Sequence, residues 1–341
     1  MGTVYEAEHR TTGRLVAVKV MKPEHAQKPE SVARLQQEAR IVGQLRHPNI
    51  CEIIDISQLS DGTPYLVMEL LVGETLARRL ERRGPLHAPA MVQVAIQVLA
   101  ALEAAHSRGV IHRDMKPDNI FLIERDGGLH AKILDFGISK ATGPDELPHH
   151  LTRTGMVMGT PYYMAPEQAM GERQLDGRVD VWGVGVLMYE CLTGTRPFVA
   201  KNYNALLVQI LTVNPQPVDR LSPTVPASLS LVVRHALEKK RAVRYQSAEQ
   251  LRRALEGLRI QPSTPGREVR SFGATGLPRV PVFGSEDSSA VTSDEEPTQQ
   301  ITRLEEYEDE TPVFADGEKT EVDDPPSFQD TDSTTVSKRG R

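Results

Sequence analysis

The stretch VIHRDMKPDNIFL at 110–122, followed closely by ILDFGISK at 133–140, constrains this chain more than any other feature of its sequence. Polar groups interrupt apolar runs here, and the side-chain oxygens of Asp114, Asn119 and Asp135 are candidates for handling a proton or Mg²⁺. A carboxylate can accept the proton of a hydroxyl, and a carboxylate together with an amide oxygen suits Mg²⁺. The order of these groups predicts a site where a loop and a strand end meet.

The chain from Gly2 to about Leu258 resembles a eukaryotic-type (Hanks-type) bacterial serine/threonine protein kinase. The resemblance rests on HRD followed by MKPDN, on DFG, on VAVK at 16–19 and on APE at 165–167. It implies an α+β fold with two lobes, a small β-rich N-lobe and a larger helical C-lobe. The expected activity is transfer of the γ-phosphoryl group of ATP, with Mg²⁺, to Ser or Thr hydroxyls of proteins.

The resemblance also assigns roles in the larger lobe. Asp114 would accept the substrate proton, and Lys116, which is typical of the serine/threonine class, would steady the transferring group. Asn119 and Asp135 would bind the metal. Thr160 would help to select a hydroxyl substrate. Supporting contacts are expected from Asp180, which would brace the catalytic loop, and from an ion pair between Glu167 and Arg244.

Lys19 ends an apolar strand, where a lysine is costly to bury without an anionic partner. By resemblance it binds the α- and β-phosphates and pairs with Glu38 from the following helix. Met68, Glu69 and Leu71 match the gatekeeper and the hinge that meets the adenine edge. Further nucleotide contacts are expected from Gly2, Val4 and Ala17.

The start of the chain departs from the family pattern. A kinase glycine loop reads G-x-G-x-x-G-x-V, and here Gly2 and Val4 match only its third glycine and its valine. The first two glycines and the preceding strand are absent, which leaves a misassigned start, a fragment or a real truncation as explanations. An alternative function is a pseudokinase or signalling scaffold with impaired ATP binding. A small-molecule kinase of the antibiotic-phosphotransferase type is disfavoured by APE and by Lys116.

Apolar periodicity predicts how the lobes are built. A hairpin is expected over 3–22, a helix over about 31–45, and a hinge at Gly73. The stripe over 89–109 predicts a long helix, and 179–194 predicts a buried core helix. The predicted domains are a kinase domain at 1–258, divided into an N-lobe at 1–72 and a C-lobe at 73–258, and a tail at 259–341. Two further strands are expected at 51–57 and 65–70.

The predicted tail is acidic and rich in Pro, Ser and Thr, a composition typical of disorder. Thr298 and Thr320 in this tail are candidate docking sites for phosphothreonine-binding modules. In the loop before APE, Thr152 and Thr154 are candidate autophosphorylation sites, and a phosphate there is expected to pair with Arg113.

Composition limits the partners and the compartment. The net charge of −6 gives no reason to expect nucleic acid as a partner. Cys51 and Cys191 lie far apart in apolar runs, so neither a disulfide nor a metal cluster is expected. We found no signal peptide and no apolar stretch near the roughly 20 residues that span a bilayer. The sequence therefore predicts a cytoplasmic protein without a membrane span.

Overall fold

The computed structural model of the chain describes residues 3–9, 12–21, 39–125, 127–136, 161–259 and 301–302. Strands dominate the first part of these ranges and helices the second, which confirms the predicted two-lobed α+β fold. Part of the predicted helix over 31–45 falls in the described ranges, where residues 39–43 are helical.

The N-lobe sheet contains the predicted hairpin, whose two strands pair antiparallel. Val4 lies opposite Lys19 across the first pair of strands, and Ala17 lies opposite Met68 across the next. Residues opposite each other, and residues two apart on a strand, share a face of a sheet. These four nucleotide-site candidates therefore lie on one face. The strands are β1 (Thr3–Glu8), β2 (Leu15–Val20), β3 (Ile53–Gln58) and β4 (Pro64–Glu69).

A fifth strand, β8 (Ile301–Thr302), pairs parallel with β1, where Val4 lies opposite Ile301. This is a departure from the disorder predicted for 259–341, at these two residues. An outer strand presents backbone groups that another segment can satisfy, and Ile and Thr favour extended backbone. The sequence pattern of the tail gave no sign of this pairing.

The C-lobe is built around a buried helix, α4 (Arg178–Thr193), as predicted. Gly194, at φ 74°, ends it with a left-handed residue. Burial raises the pKa of the Cys191 thiol in this helix, and both cysteines are free thiols, as expected. The other C-lobe elements are β5 (Glu74–Thr75), α1 (Leu76–Arg83), α2 (Ala88–His106), β6 (Ile120–Arg125), β7 (Gly128–Ile133), α3 (Pro166–Ala169), α5 (Tyr203–Thr212), α6 (Val218–Leu221), α7 (Ala227–Ala236) and α8 (Ala248–Glu256).

Helix α2 bears on the expectation that no segment is long and apolar enough to cross a membrane. By length and composition alone α2 is long and apolar enough to cross a membrane, which the sequence analysis missed. In this structure, however, α2 packs in the C-lobe core, where Met91, Val94 and Leu99 are buried. Gln97 also joins it to β7, since its side-chain amide donates to Leu129 O at 2.8 Å. We therefore interpret α2 as a core helix.

Lys239 is a half-buried lysine that hydrogen-bonds to the last turn of α5. Its Nζ donates to Ile210 O at 2.7 Å and lies 4.0 Å from the centre of the Phe198 ring and 4.9 Å from that of Trp182. Burial lowers the pKa of Lys239 from 10.5 to about 8. Between these two pH values the unfolded chain binds more protons than the folded one, so the contribution of Lys239 to stability rises with pH.

This linkage gives a pH-dependent prediction. The free energy of unfolding of the wild type, minus that of Lys239→Met, should increase as the pH is raised from 8 to 10, because only the wild type carries the shifted amine. Urea unfolding at several pH values measures the difference. Lys201→Met, at an exposed lysine, is the control and should give a difference that does not change with pH. A flat profile for Lys239→Met would show that this amine keeps its ordinary pKa.

Candidate active site

The backbone of the HRD segment is held by the carboxylate of Asp180, which is on α4. His112 N donates to Asp180 Oδ2 at 2.9 Å, and Arg113 N donates to Oδ1 at 2.7 Å. Arg113 has a left-handed backbone, with φ 63°, which costs roughly 1–3 kcal/mol for a residue other than glycine. Hydrogen bonds to a buried carboxylate offset this cost. The predicted bracing role of Asp180 is confirmed.

His112 joins this loop to the segment after β7 that carries Asp135. The ring is fully buried; its Nδ1 accepts from Asp114 N at 3.2 Å, and its Nε2 lies 3.1 Å from Leu134 O. A carbonyl can only accept, so Nε2 carries the proton. The buried Phe136 ring meets the imidazole edge-on, with centroids 5.1 Å apart. His112 is therefore a packing and positioning residue.

Asp114, Lys116 and Asn119 come together in the loop that follows. Lys116 Nζ lies 3.2 Å from Asp114 Oδ2, and Asn119 Nδ2 donates to the same oxygen at 3.2 Å and to Asp114 O at 2.7 Å. Lys116 and Asn119 are both buried. Because the amide nitrogen of Asn119 is used in these bonds, its Oδ1 remains as the atom that can bind a cation. The two donors fix the orientation of the Asp114 carboxylate.

Asp135 lies beside Lys19, which reaches it from β2. Lys19 Nζ is 2.5 Å from Asp135 Oδ2, and the side chains are 7% and 15% exposed. Asp135 has φ 49°, the second left-handed residue other than glycine in the described ranges. Leu134 N donates to Asn119 O at 2.8 Å, which joins the two predicted metal ligands through the backbone. Lys19 thus has the anionic partner that its burial requires.

The hinge lies at the end of β4. Within the described part of the chain, the backbone N–H and C=O of Leu71 have no hydrogen-bond partner, so both are available to an adenine edge. The side chain of Glu69 binds Lys132, so any contact of Glu69 with a nucleotide would come from its backbone. At Gly73 a Cβ atom would lie 2.1 Å from Leu122 O, so this hinge position requires glycine.

Five of the predicted site residues lie outside the described ranges. They are Gly2, Glu38, Thr152, Thr154 and Thr160, and the candidate docking residues Thr298 and Thr320 of the tail lie outside these ranges as well. The predicted pairing of Lys19 with Glu38 therefore stays a prediction, as does the phosphorylation of the loop before APE.

The side-chain oxygens of Asp135 and Asn119 fit a magnesium site whose remaining ligands would be oxygens of phosphate and water. In the described ranges no three His, Cys, Asp or Glu side chains cluster as a metal cage. Mg²⁺ is usually held by one or two protein oxygens together with phosphates and water, which is what Asp135 and Asn119 can provide.

Two residues that organise the site were missed by the sequence reading. His106, at the end of α2, places its Nε2 2.7 Å from Asp180 Oδ2. Lys132, on β7, contacts Glu69 at the hinge. Lys132 had a visible signal, because it interrupts the apolar run AKIL in the way that Lys19 interrupts VAVK. Nothing in the sequence pattern connects His106 with Asp180.

The fold and this set of contacts define a class of protein. Residues 1–254 match the family model described as protein kinase domain, and the chain belongs to this family. Within the family it is similar to bacterial serine/threonine kinases, which confirms the predicted resemblance.

Among these relatives, serine/threonine-protein kinase Pkn1 of Myxococcus xanthus is 43% identical over 284 residues, covering 83% of this chain and 40% of Pkn1. PknH of Mycobacterium tuberculosis (strain ATCC 25618 / H37Rv) is 39% identical over 252 residues, covering 74% of this chain and 39% of PknH. The chain therefore spans less than half the length of these two relatives.

Two solved structures share the fold. The PknI kinase domain of Mycobacterium tuberculosis has a TM-score of 0.58 at 26% sequence identity, covering 75% of this chain and 90% of that chain. Rad53 1-466 in complex with AMP-PNP has a TM-score of 0.61 at 28% identity, covering 74% of this chain and 60% of that chain.

Proposed function

We propose that this chain is a serine/threonine protein kinase that transfers the γ-phosphoryl group of ATP to hydroxyls of proteins. One observation carries the proposal: Lys116 and Asn119 both contact the Asp114 carboxylate, while the buried Lys19 contacts the carboxylate of Asp135. A non-catalytic scaffold has no chemical need for Lys19, Asp114, Asn119 and Asp135 together. The similar Rad53 structure is in complex with AMP-PNP, which supports a nucleotide as the ligand here.

In the proposed reaction Asp114 orients the substrate hydroxyl and accepts its proton. The hydroxyl oxygen bonds to the γ-phosphorus as the bond from that phosphorus to the β–γ bridging oxygen breaks, and ADP leaves. Lys116, held beside Asp114, offsets the negative charge on the transferring group. Asn119 and Asp135 would hold Mg²⁺, which when bound neutralises charge on the phosphates. Lys19 would contact the α- and β-phosphates.

The same proposal covers the residues of the loop before APE, the limits of the domains and the tail. Thr152 and Thr154 would be autophosphorylated, and Thr160 would bridge to Asp114 and Lys116. The kinase domain would occupy 1–258 and the acidic tail 259–341, where phosphothreonine-binding modules would dock.

A labelling assay tests the proposed function. Purified full chain with [γ-³²P]ATP, Mg²⁺ and a generic protein substrate should label both the substrate and itself. Lys19→Met should lower the rate by about 10²-fold or more, because the phosphate-binding cation is lost, while exposed Lys201→Met should leave it unchanged. Mass spectrometry of the labelled chain should find phosphate on Thr152 or Thr154.

The alternatives predict other outcomes of this assay. A wild type that labels protein no faster than Lys19→Met would favour the scaffold reading. If an aminoglycoside is added to the same assay, label on the aminoglycoside and none on protein would favour a small-molecule kinase.

A further inference from the structure

A part-buried ion pair connects the hinge with β7, the strand that leads to Asp135. Lys132 Nζ, on β7, lies 2.5 Å from Glu69 Oε1, at the end of β4, and the two side chains are 12% and 20% exposed. No step of the proposed transfer uses either side chain. A pair that has lost most of its contact with water needs further hydrogen bonds to offset the loss of hydration.

Those further bonds all lead to one segment, 50–52. Glu69 Oε1 accepts from Glu52 N at 2.8 Å, and Glu69 N donates to Glu52 O at 3.0 Å. Lys132 Nζ reaches Ile50 O at 3.4 Å. Cys51 N donates to Ile133 O at 2.9 Å, which pairs the same segment with the end of β7. The ion pair therefore closes a bonded connection among β4, segment 50–52 and β7.

Each end of the pair lies close in sequence to a group expected to contact the nucleotide. Glu69 is two residues before Leu71, whose backbone groups have no partner in the described ranges. Lys132 is three residues before Asp135, at the phosphate end of the site. A change in the separation of β4 and β7 would therefore change the distance between the adenine contact and the phosphate contact.

We infer that Lys132 and Glu69 are a positioning pair that sets the distance between the hinge and Asp135, and so the affinity of the site for a nucleotide triphosphate. The inference deepens the proposed function and rests on it. Neither side chain is expected to touch the nucleotide. Both act by fixing the separation of β4 and β7, whose backbones lead to Leu71 and Asp135.

The test measures binding of AMP-PNP with Mg²⁺ by isothermal titration calorimetry, alongside the free energy of unfolding. Lys132→Met and Glu69→Gln should each weaken binding by about tenfold, since a misplacement of about 1 Å can cost up to 10²-fold. Lys132→Arg, which keeps the cation, should bind within about threefold of wild type. Arg14→Met removes an ion pair to Glu52 whose side chains are 56% and 58% exposed, and it should leave binding unchanged.

The double variant Lys132→Met/Glu69→Met separates positioning from stability. It leaves no unpaired buried charge, so its free energy of unfolding should recover relative to Lys132→Met. Its AMP-PNP affinity should stay low, because the connection is still missing. Recovery of both would overturn the inference, as would wild-type affinity in Lys132→Met. Because binding is read directly, these results are distinct from a wild type that binds AMP-PNP but transfers no phosphate, which would overturn the proposed function alone.

Discussion

Asp114→Asn should lower kcat for protein phosphorylation by about 10³-fold, within the roughly 10²–10⁴-fold that a positioned general base contributes. The substitution keeps the size and shape of the side chain but removes its ability to accept the proton. Lys116 Nζ and Asn119 Nδ2 both approach Asp114 Oδ2 in the native protein. An amide can turn its oxygen toward these donors, so the loop should keep its conformation.

The expected signature is a change in kcat without a change in nucleotide affinity. Steady-state kinetics and AMP-PNP titration should show a KM for ATP and a Kd within about twofold of wild type, because an interaction made only in the transition state is the one removed. Asp118→Asn is a matched control, since Asp118 is an exposed carboxylate in the same loop, and its kcat should stay at the wild-type value. If Asp114→Asn kept a tenth of the wild-type kcat, Asp114 would not be the base.

The site residues that lie close together in the sequence were predictable. Asp114, Lys116 and Asn119 lie within six positions, so their backbone connection already restricts how far apart they can be. The buried helix α4 was also predictable from a local pattern, because an apolar run of that length with Gly at its end is compatible with few structures other than a buried helix.

Contacts between distant segments were harder to predict. Lys132 and Glu69 meet because β7 and β4 both bond to segment 50–52, and that arrangement depends on long-range pairing. The sequence indicated that Lys19 needs an anionic partner, and strand geometry decides that Asp135 is 2.5 Å from it. The pairing of Ile301 with Val4 has no signal in an acidic tail. Burial patterns thus predict elements, and the partners of charged groups depend on how those elements meet.

The exception is the long-range pair of Glu167 and Arg244, which the family motif identified and the structure confirms. Arg244 Nη1 and Nη2 donate to the two carboxylate oxygens of Glu167 at 2.8 and 3.0 Å. The side chains are 0% and 1% exposed. Arg244 also donates to Arg178 O at 2.8 Å and lies 5.1 Å from the centre of the Trp182 ring.

Arg244→Ala should lower the free energy of unfolding by about 3–5 kcal/mol, the range for removing one partner of a buried ion pair. The loss is large because the Glu167 carboxylate would remain buried without its partner. Arg244→Lys should recover only a part of it, since an ammonium cannot bind both oxygens in the planar geometry of a guanidinium. Urea unfolding at neutral pH measures each variant.

Arg253→Ala is the control for this measurement. Arg253 pairs with Glu249 one helical turn away on α8, but its side chain is 71% exposed, so the change should stay within about 0.5 kcal/mol. A loss below about 1 kcal/mol for Arg244→Ala would mean that water reaches the pair.

Weakening the pair of Glu167 and Arg244 should also disturb the catalytic loop. Glu167 is next to Gln168 on α3, and Gln168 Nε2 donates to Arg113 O at 3.1 Å. Arg244→Lys, measured well below its unfolding midpoint, should therefore lower kcat more than it raises the KM for ATP, since the loop that carries Asp114 is held from this side by α3 and the hinge is not.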